Sequence, residues 1–244
     1  MRIPRIHTPQ ALHLGATLAL DEDAANHVGR VLRMQPGDAL ILFNGDGQDY
    51  TAQIHQVSKR GVDVVLTSAK PNGRESPLQI LLGQVISKGD RMDYAVQKAT
   101  ELGVTRIVPL ISERCDVRLK GDREDKRVRH WQQVAISAAE QCGRARVPAI
   151  ADIASLDDWL ADTADCDLRL VLHHRTTQTL DALARPQRIA ILIGPEGGLS
   201  AAEIAQAEAA GCIATALGPR VLRTETAPVS ILTLCQWLWG DFQA

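Results

Sequence analysis

Gly194-Pro195-Glu196-Gly197-Gly198-Leu199-Ser200 and Leu217-Gly218-Pro219-Arg220-Val221-Leu222-Arg223-Thr224-Glu225-Thr226 are the two stretches whose reading decides the fold. Each follows a short apolar run that reads as a buried strand, over 188–193 and 212–217, and each leads into a helix start. Ser200 and Glu203 stand in the S-x-x-E spacing of a capping box. Pro228 falls in the first turn of the second helix, where a missing N–H costs nothing. In an open parallel sheet, neighbouring loops at the carboxyl ends of strands form the usual ligand crevice. These two loops are therefore the candidate site.

Working outward, strand and helix alternate from residue 78 to the end. Apolar runs at 79–86, 104–111 and 168–173 read as strands. Met92, Ala95, Val96, Ala99 and Leu102 make one helical stripe, and Val128, Trp131, Ala135, Ala138, Ala139 and Cys142 make another; Gly103 and Gly143 stop them. Ser155 with Asp158 caps a short helix, and Ile231, Leu234, Cys235, Leu238 and Trp239 belong to a final amphipathic one. Such alternation predicts an α/β fold with a mostly parallel sheet covered on both faces.

The first 67 residues read differently. Short β-rich runs at 39–44, 50–58 and 62–67 are separated by the hairpin signals Gly45-Asp46-Gly47 and Lys59-Arg60-Gly61. One helical pattern interrupts them, with Ala24, Ala25, Val28, Val31 and Leu32 on its apolar face and His27, Arg30 and Arg33 at or beyond the edge. Several short strands with one helix predict a small β-barrel. A Pro-, Gly- and Ser-containing stretch then reads as a linker, giving an amino-terminal domain over 1–70, a linker over 71–77 and a larger domain over 78–244.

Composition sets the outer bounds. The chain has 244 residues, 45% of them hydrophobic, with a formal net charge of −2. Charge is segregated: residues 114–146 carry nine Lys or Arg against five acids, whereas 152–167 holds six Asp and no basic residue. Such a distribution permits a local basic face for a polyanion on a near-neutral protein. No apolar run approaches the length needed to span a bilayer, and residues 1–5 lack the apolar core of a signal peptide. The five cysteines are odd in number, widely spaced and form no C-x-x-C pair, which fits reduced thiols in a cytoplasmic protein.

Motif searches narrow the chemistry. Neither G-x-G-x-x-G nor the lysine-bearing phosphate loop occurs, which weakens dinucleotide and kinase-like readings. His173-His174 is the one histidine pair and no H-E-x-x-H exists, so no metal is expected. There is no G-x-S-x-G, and Ser200 is explained as a cap. Gly197 and Gly198 remove side chains where backbone approaches a ligand. In the second loop Arg220, Arg223 and Glu225 set three charges beside apolar Val221 and Leu222, a combination suited to a flat apolar ring with an anionic partner.

With these residues in view, IGPEGGLS followed by LGPRVLRTETAPV resembles the carboxyl-terminal motifs of the RsmE-type ribosomal RNA uridine-N3 methyltransferases of the SPOUT superfamily. Residues 88–104, from Lys88-Gly-Asp-Arg-Met-Asp-Tyr onward, are similar to the family's first catalytic-domain helix. Ala138-Ala-Glu-Gln-Cys-Gly-Arg144 with Val147-Pro148 is similar to its central helix end. His27-Val-Gly-Arg-Val-Leu-Arg33, followed by Gly37-Asp38, resembles its amino-terminal PUA-like RNA-binding domain.

The resemblance implies a SPOUT-type parallel sheet with a carboxyl-terminal trefoil knot, a small PUA-like β-barrel domain, a homodimer, and S-adenosyl-L-methionine as methyl donor. The implied cofactor-binding positions are Leu172, His173, Ile193, Gly194, Glu196, Gly197, Gly198, Leu217, Gly218, Leu222 and Thr224. The implied reaction is methylation of uracil N3 in the 16S ribosomal RNA of the small subunit. Arg223 is the candidate for holding the uracil anion or a phosphate, and Glu225 for positioning Arg223 or acting as base. RNA contacts fall to Arg5, Arg30 and Arg33 in the small domain and to Lys88, Arg91, Arg114 and Arg118 in the large one. Two rival classes remain: a non-catalytic RNA-binding or ribosome assembly factor of the same fold, against which the intact loops argue, and a nucleotide-handling α/β enzyme.

Overall fold

A computed structural model describes residues 3–59, 61–117, 121–173, 176 and 178–243, and its internal contacts divide the chain into two units. One comprises residues up to 75 together with 136–147, the other 76–135 with 148–244.

In the first unit the hairpin signals produce long antiparallel strands, β4 (Gln48–Ser58) and β5 (Gly61–Pro71), which pair with shorter neighbours in the order β1-β3-β4-β5-β2. β1 (Arg5–His7) joins β3 (Ala39–Phe43) in parallel, and β2 (Thr17–Ala19) joins β5 antiparallel. Alternate residues point inward: Leu40, Leu42, Ala52, Ile54, Val62, Val64 and Leu66 are all buried. Among the described residues the paired strands run from β1 at one end to β2 at the other, each three residues long.

The helical stretch of this unit departs from expectation. α1 (Glu22–Asn26) gives way to a π-helical turn over His27–Val31, in which Leu32 N–H reaches His27 O at 2.9 Å. The wider turn rotates later residues off the inner face. Ala24 and Val28 stay buried, as the period predicts, but Val31 is 69% exposed and Leu32 points to solvent too.

Among the described residues, the second unit is built on a parallel sheet of seven strands. Its order is β12-β10-β11-β6-β7-β8, with β9 also on β7. The strands are β6 (Gln79–Val85), β7 (Arg106–Ile111), β8 (Ala149–Ile150), β9 (Ala154–Ser155), β10 (Leu168–Leu172), β11 (Arg188–Ile193) and β12 (Ile213–Thr215). Central strands are apolar on both faces because helices cover both. Gly83 in β6 has a packing reason: a Cβ there would sit 2.6 Å from the buried Trp159 ring of α4 (Leu156–Asp162).

The expected helix signals hold. α2 spans Arg91–Glu101 and buries Met92, Ala95, Val96 and Ala99. Ser155 caps α4 by accepting from Asp158 N–H, and Ser200 with Glu203 forms both halves of the capping box of α5 (Ala201–Ala209). α6 (Thr226–Leu238) carries Pro228 in its first turn. α3 (Asp122–Cys142) begins in the second unit, where Trp131 is buried and donates to Asp93 Oδ1 at 3.1 Å. Its last residues belong to the first unit, where Ala139 packs with Phe43, Ala145 and Val147.

Candidate functional site

β10, β11 and β12 lie side by side and in parallel, so the loops at their carboxyl ends gather at one edge of the second unit. They enclose a cavity of about 490 Å³. Leu172 and His173 enter it from β10, residues 193–199 from β11, and 215–217 with 220–225 from β12. Arg91 of α2 and Ala227 of α6 complete the wall.

Local forces shape each wall. After β11 the chain turns at Pro195–Gly198, with Gly198 N–H donating to Pro195 O at 2.9 Å. Gly198 has φ +67, where L side chains are strained, whereas Gly197 lies outside that region and its Cβ would meet Arg114 only at an ordinary 3.5 Å. The glycine that the packing demands is Gly194, whose Cβ would lie 2.9 Å from Leu199 N and 3.1 Å from Leu199 Cγ.

Thr224 ties the two loops together. Its buried hydroxyl donates to Gly194 O at 2.9 Å and accepts from Gln84 Nε2 at 3.1 Å. Gln84 sits fully buried in β6 and also donates to Val85 O. An amide set inside the apolar run, unlike exposed Gln79 at its start, is the signal in the sequence that could have found it, because a buried polar group needs partners.

The charged rim is organised by Arg91. Its guanidinium meets Glu196 at 2.7 Å and Glu225 at 3.8 Å, and Glu196 Oε1 also accepts the Lys88 N–H at 3.0 Å. Burial by itself would raise the Glu196 carboxyl, but the Lys88 N–H and Arg91 outweigh it and hold that group below the usual range. Arg114 donates to Gly197 O at 3.2 Å. Glu225 thus pairs with Arg91 rather than with Arg223, which corrects one sequence expectation. Its other oxygen, Oε2, is buried without a hydrogen-bond partner among the described residues. Arg220 and Arg223 are exposed and form no ion pair among the described residues.

Among the expected site residues, Leu172, His173, Ile193, Gly194, Glu196, Gly197, Gly198, Leu217, Leu222, Arg223, Thr224 and Glu225 line the cavity together. Gly218 does not; with φ +78 it makes the turn that returns the chain to the cavity. Of the expected RNA contacts, Arg30 and Arg33 are exposed in the first unit, and Lys88 is exposed beside Asp116 at 2.7 Å in the second. Arg118 lies outside the described residues. Arg5 is a correction: it is 8% exposed, pairs with Asp49 at 2.7 Å, donates to Arg144 O and lies 5.0 Å from the Phe43 ring centre. A guanidinium with its charge so engaged inside the unit is a structural group, not a phosphate contact.

The described residues hold no cluster of three metal-ligating side chains. Burial pushes the thiols of Cys166, Cys212 and Cys235 upward, the last to about 12, which disfavours thiolate nucleophiles there. No described helix is long and apolar enough to cross a membrane.

Comparison with known proteins agrees with both units. Residues 74–236 match the RNA methyltransferase domain family and residues 20–67 the RNA methyltransferase PUA domain family. The chain is 35% identical over 243 residues to ribosomal RNA small subunit methyltransferase E of Buchnera aphidicola (Schizaphis graminum), covering 98% of each chain. It is 30% identical to the protein of that name in Bacillus subtilis, covering 93% of this chain and 92% of that one. Among solved structures, a Legionella pneumophila methyltransferase with bound S-adenosylmethionine superposes with TM-score 0.96 at 42% identity, over 99% of this chain and 100% of that one. A Neisseria gonorrhoeae ribosomal RNA small subunit methyltransferase E, also bound to S-adenosylmethionine, gives 0.90 at 38% identity, over 99% and 100% of the two chains.

Proposed function

Because the chain belongs to the RNA methyltransferase family that includes ribosomal RNA small subunit methyltransferase E, we propose that it uses S-adenosylmethionine to methylate uracil N3 of a uridine in 16S ribosomal RNA. The reading includes a cytoplasmic homodimer and a trefoil knot in the loops after β11 and β12. The observation that carries it is the cavity at the ends of β10, β11 and β12, in a fold shared with relatives that hold this cofactor.

The residues present fit the cofactor. A space of about 490 Å³ lies within the usual range for small-molecule sites. Leu172, Leu199, Leu217 and Leu222 offer apolar surface, while backbone at 193–198 and 215–217 offers donors and acceptors. Gly194 lets the loop fold back on itself, since a Cβ there would sit 2.9 Å from Leu199 N. When bound, S-adenosylmethionine supplies an electrophilic methyl group on a sulfonium.

The chain's own tasks are to align the base, accept the N3 proton and steady the negative charge that proton loss leaves on the ring. Glu225 Oε2, buried and without a partner among the described residues, is the group suited to take the proton. Arg91 holds the other carboxylate oxygen, and exposed Arg223 is available to the anionic ring or its phosphate. Leu234, Trp237, Leu238 and Phe242 leave an apolar surface on and beyond α6, of the kind a second copy would cover.

Calorimetric titration with S-adenosylmethionine, followed by nucleoside mass spectrometry of small-subunit RNA after reaction, tests the proposal. Saturable binding and a new N3-methyluridine are expected. RNA binding without cofactor binding, even with RNA present, would instead identify a binding module in an enzyme's fold. Sedimentation of a dimer supports the assembly.

A further inference from the structure

A second cleft, of about 700 Å³, opens between the residues leading into α2 and the start of α6, lined by Lys88, Arg91, Tyr94, Glu225 and Thr226 among others. It shares Arg91 and Glu225 with the cavity described above. We propose that this cleft is the acceptor subsite, which takes one unstacked pyrimidine nucleotide with its base against the Tyr94 ring and its phosphate on Lys88 and Arg91. The inference rests on the methyl-transfer reading of the adjoining cavity.

Tyr94 is the unusual member. The chain has only two tyrosines. Tyr50 is buried in the first unit with its hydroxyl on Asp46. Tyr94 is 46% exposed on a helix whose core is already supplied by Met92, Ala95, Val96 and Ala99. Packing therefore does not account for an aromatic ring at this position. The ring has mixed charge about it: Lys98 Nζ, itself paired with Glu101 at 2.8 Å, lies 5.8 Å from its centre, Arg91 stands one turn earlier on the same helix, and Lys88 and Asp90 line the cleft with it. An exposed aromatic face with Lys88 and Arg91 beside it can stack a base while the two cations meet its phosphate, as in single-stranded nucleic-acid sites. Lys88 is exposed, and its pair with Asp116 is exposed as well, so a phosphate can compete for it.

The shared wall gives the cleft its chemistry. Arg91 and Glu225 border both spaces, so a base in the cleft meets the cofactor cavity across the two groups that can handle its proton and charge. A ring nitrogen that pairs within a duplex is reachable only when its base has left the stack, which is why an exposed stacking platform belongs here.

The test uses the full chain and small-subunit RNA transcribed with 5-iodouridine in place of uridine. Irradiation of the complex should give a cross-link that mass spectrometry maps to Tyr94. Tyr94→Ala should raise the KM for RNA about tenfold or more, leave the Kd for S-adenosylmethionine within about twofold of wild type, and remove the cross-link. Tyr94→Phe, which keeps the ring, should behave as wild type. An unchanged KM in Tyr94→Ala, or cross-links only to other segments, would overturn the proposal. So would loss of cofactor binding in Tyr94→Ala, which would assign the ring to the first cavity. Failure of the wild type to bind the cofactor or methylate RNA would sink the methyl-transfer reading instead, while the cross-link still reports on the cleft.

Discussion

Single residues decide how tightly the two site loops can close. Gly194 and Gly197 look equivalent in the sequence, yet only Gly194 faces backbone closely enough to forbid a Cβ. Gly194→Ala is expected to cost about 1–3 kcal/mol, the usual penalty of overpacking, and to weaken S-adenosylmethionine binding, both readable by denaturant unfolding and calorimetry. Gly197→Ala meets Arg114 at ordinary distance and should keep stability and affinity. Arg223 is exposed at the cavity wall and forms no ion pair among the described residues. Arg223→Ala should therefore leave cofactor affinity unchanged while kcat for RNA falls about 10²- to 10³-fold, the range seen when one charge-stabilising donor is removed. Near-normal kcat with both substrates saturating would remove Arg223 from the site.

At the scale of elements, the caps and turns carry the site. α5 starts at a complete capping box, in which Ser200 accepts from Glu203 N–H and Glu203 accepts from Ser200 N–H. Glu203 also accepts the Glu113 N–H at 2.7 Å, which fastens the loop after β7 to the same helix end. Ser200→Ala should cost about 1 kcal/mol, measured as a lower denaturation midpoint with an unchanged m-value. The sequence announced that cap because its partners are three residues apart. It did not announce the link from Gln84 to Thr224, which spans 140 positions and leaves no periodic trace. The π-helical turn over His27–Val31 was hidden for a related reason. Its apolar spacing fits an ordinary helix, and only the finished backbone shows Val31 turned to solvent.

For the whole molecule, three carboxylates of the second unit favour the fold at neutral pH. The Lys88 ammonium holds Asp116 below its ordinary pKa, the Arg188 and Gln187 N–H groups do the same for Asp167, and Glu196 is held down as described. As pH falls, the unfolded chain takes up protons at these carboxylates before the folded one does. Their stabilisation is thus complete above the ordinary carboxylate range and is lost as pH drops through the lowered values. Unfolding midpoints measured from about pH 7 downward should fall most steeply below about pH 4.5, where ordinary Asp and Glu begin to protonate. In the first unit Glu140 runs the other way. Burial raises its pKa, so its contribution favours the fold at low pH and is lost as pH rises through the raised value.

Most of the cavity lining was legible only through the family resemblance, whereas the alternation of strands and helices, the capping residues and the two glycine- and proline-rich loops were legible in the chain alone. Each is set by neighbours within a few residues, through hydrophobic period or local hydrogen bonding. Tertiary structure alone decided that Arg5 is buried on Asp49, that residues 136–147 belong with the first unit, and that Glu225 pairs with Arg91. It also decided that Tyr94 stands at a cleft beside the cavity. The physical reason is common to all four. Charge pairing, burial and cleft formation depend on which distant segments the sheet order brings together, and a side chain carries no local mark of the partner it will meet.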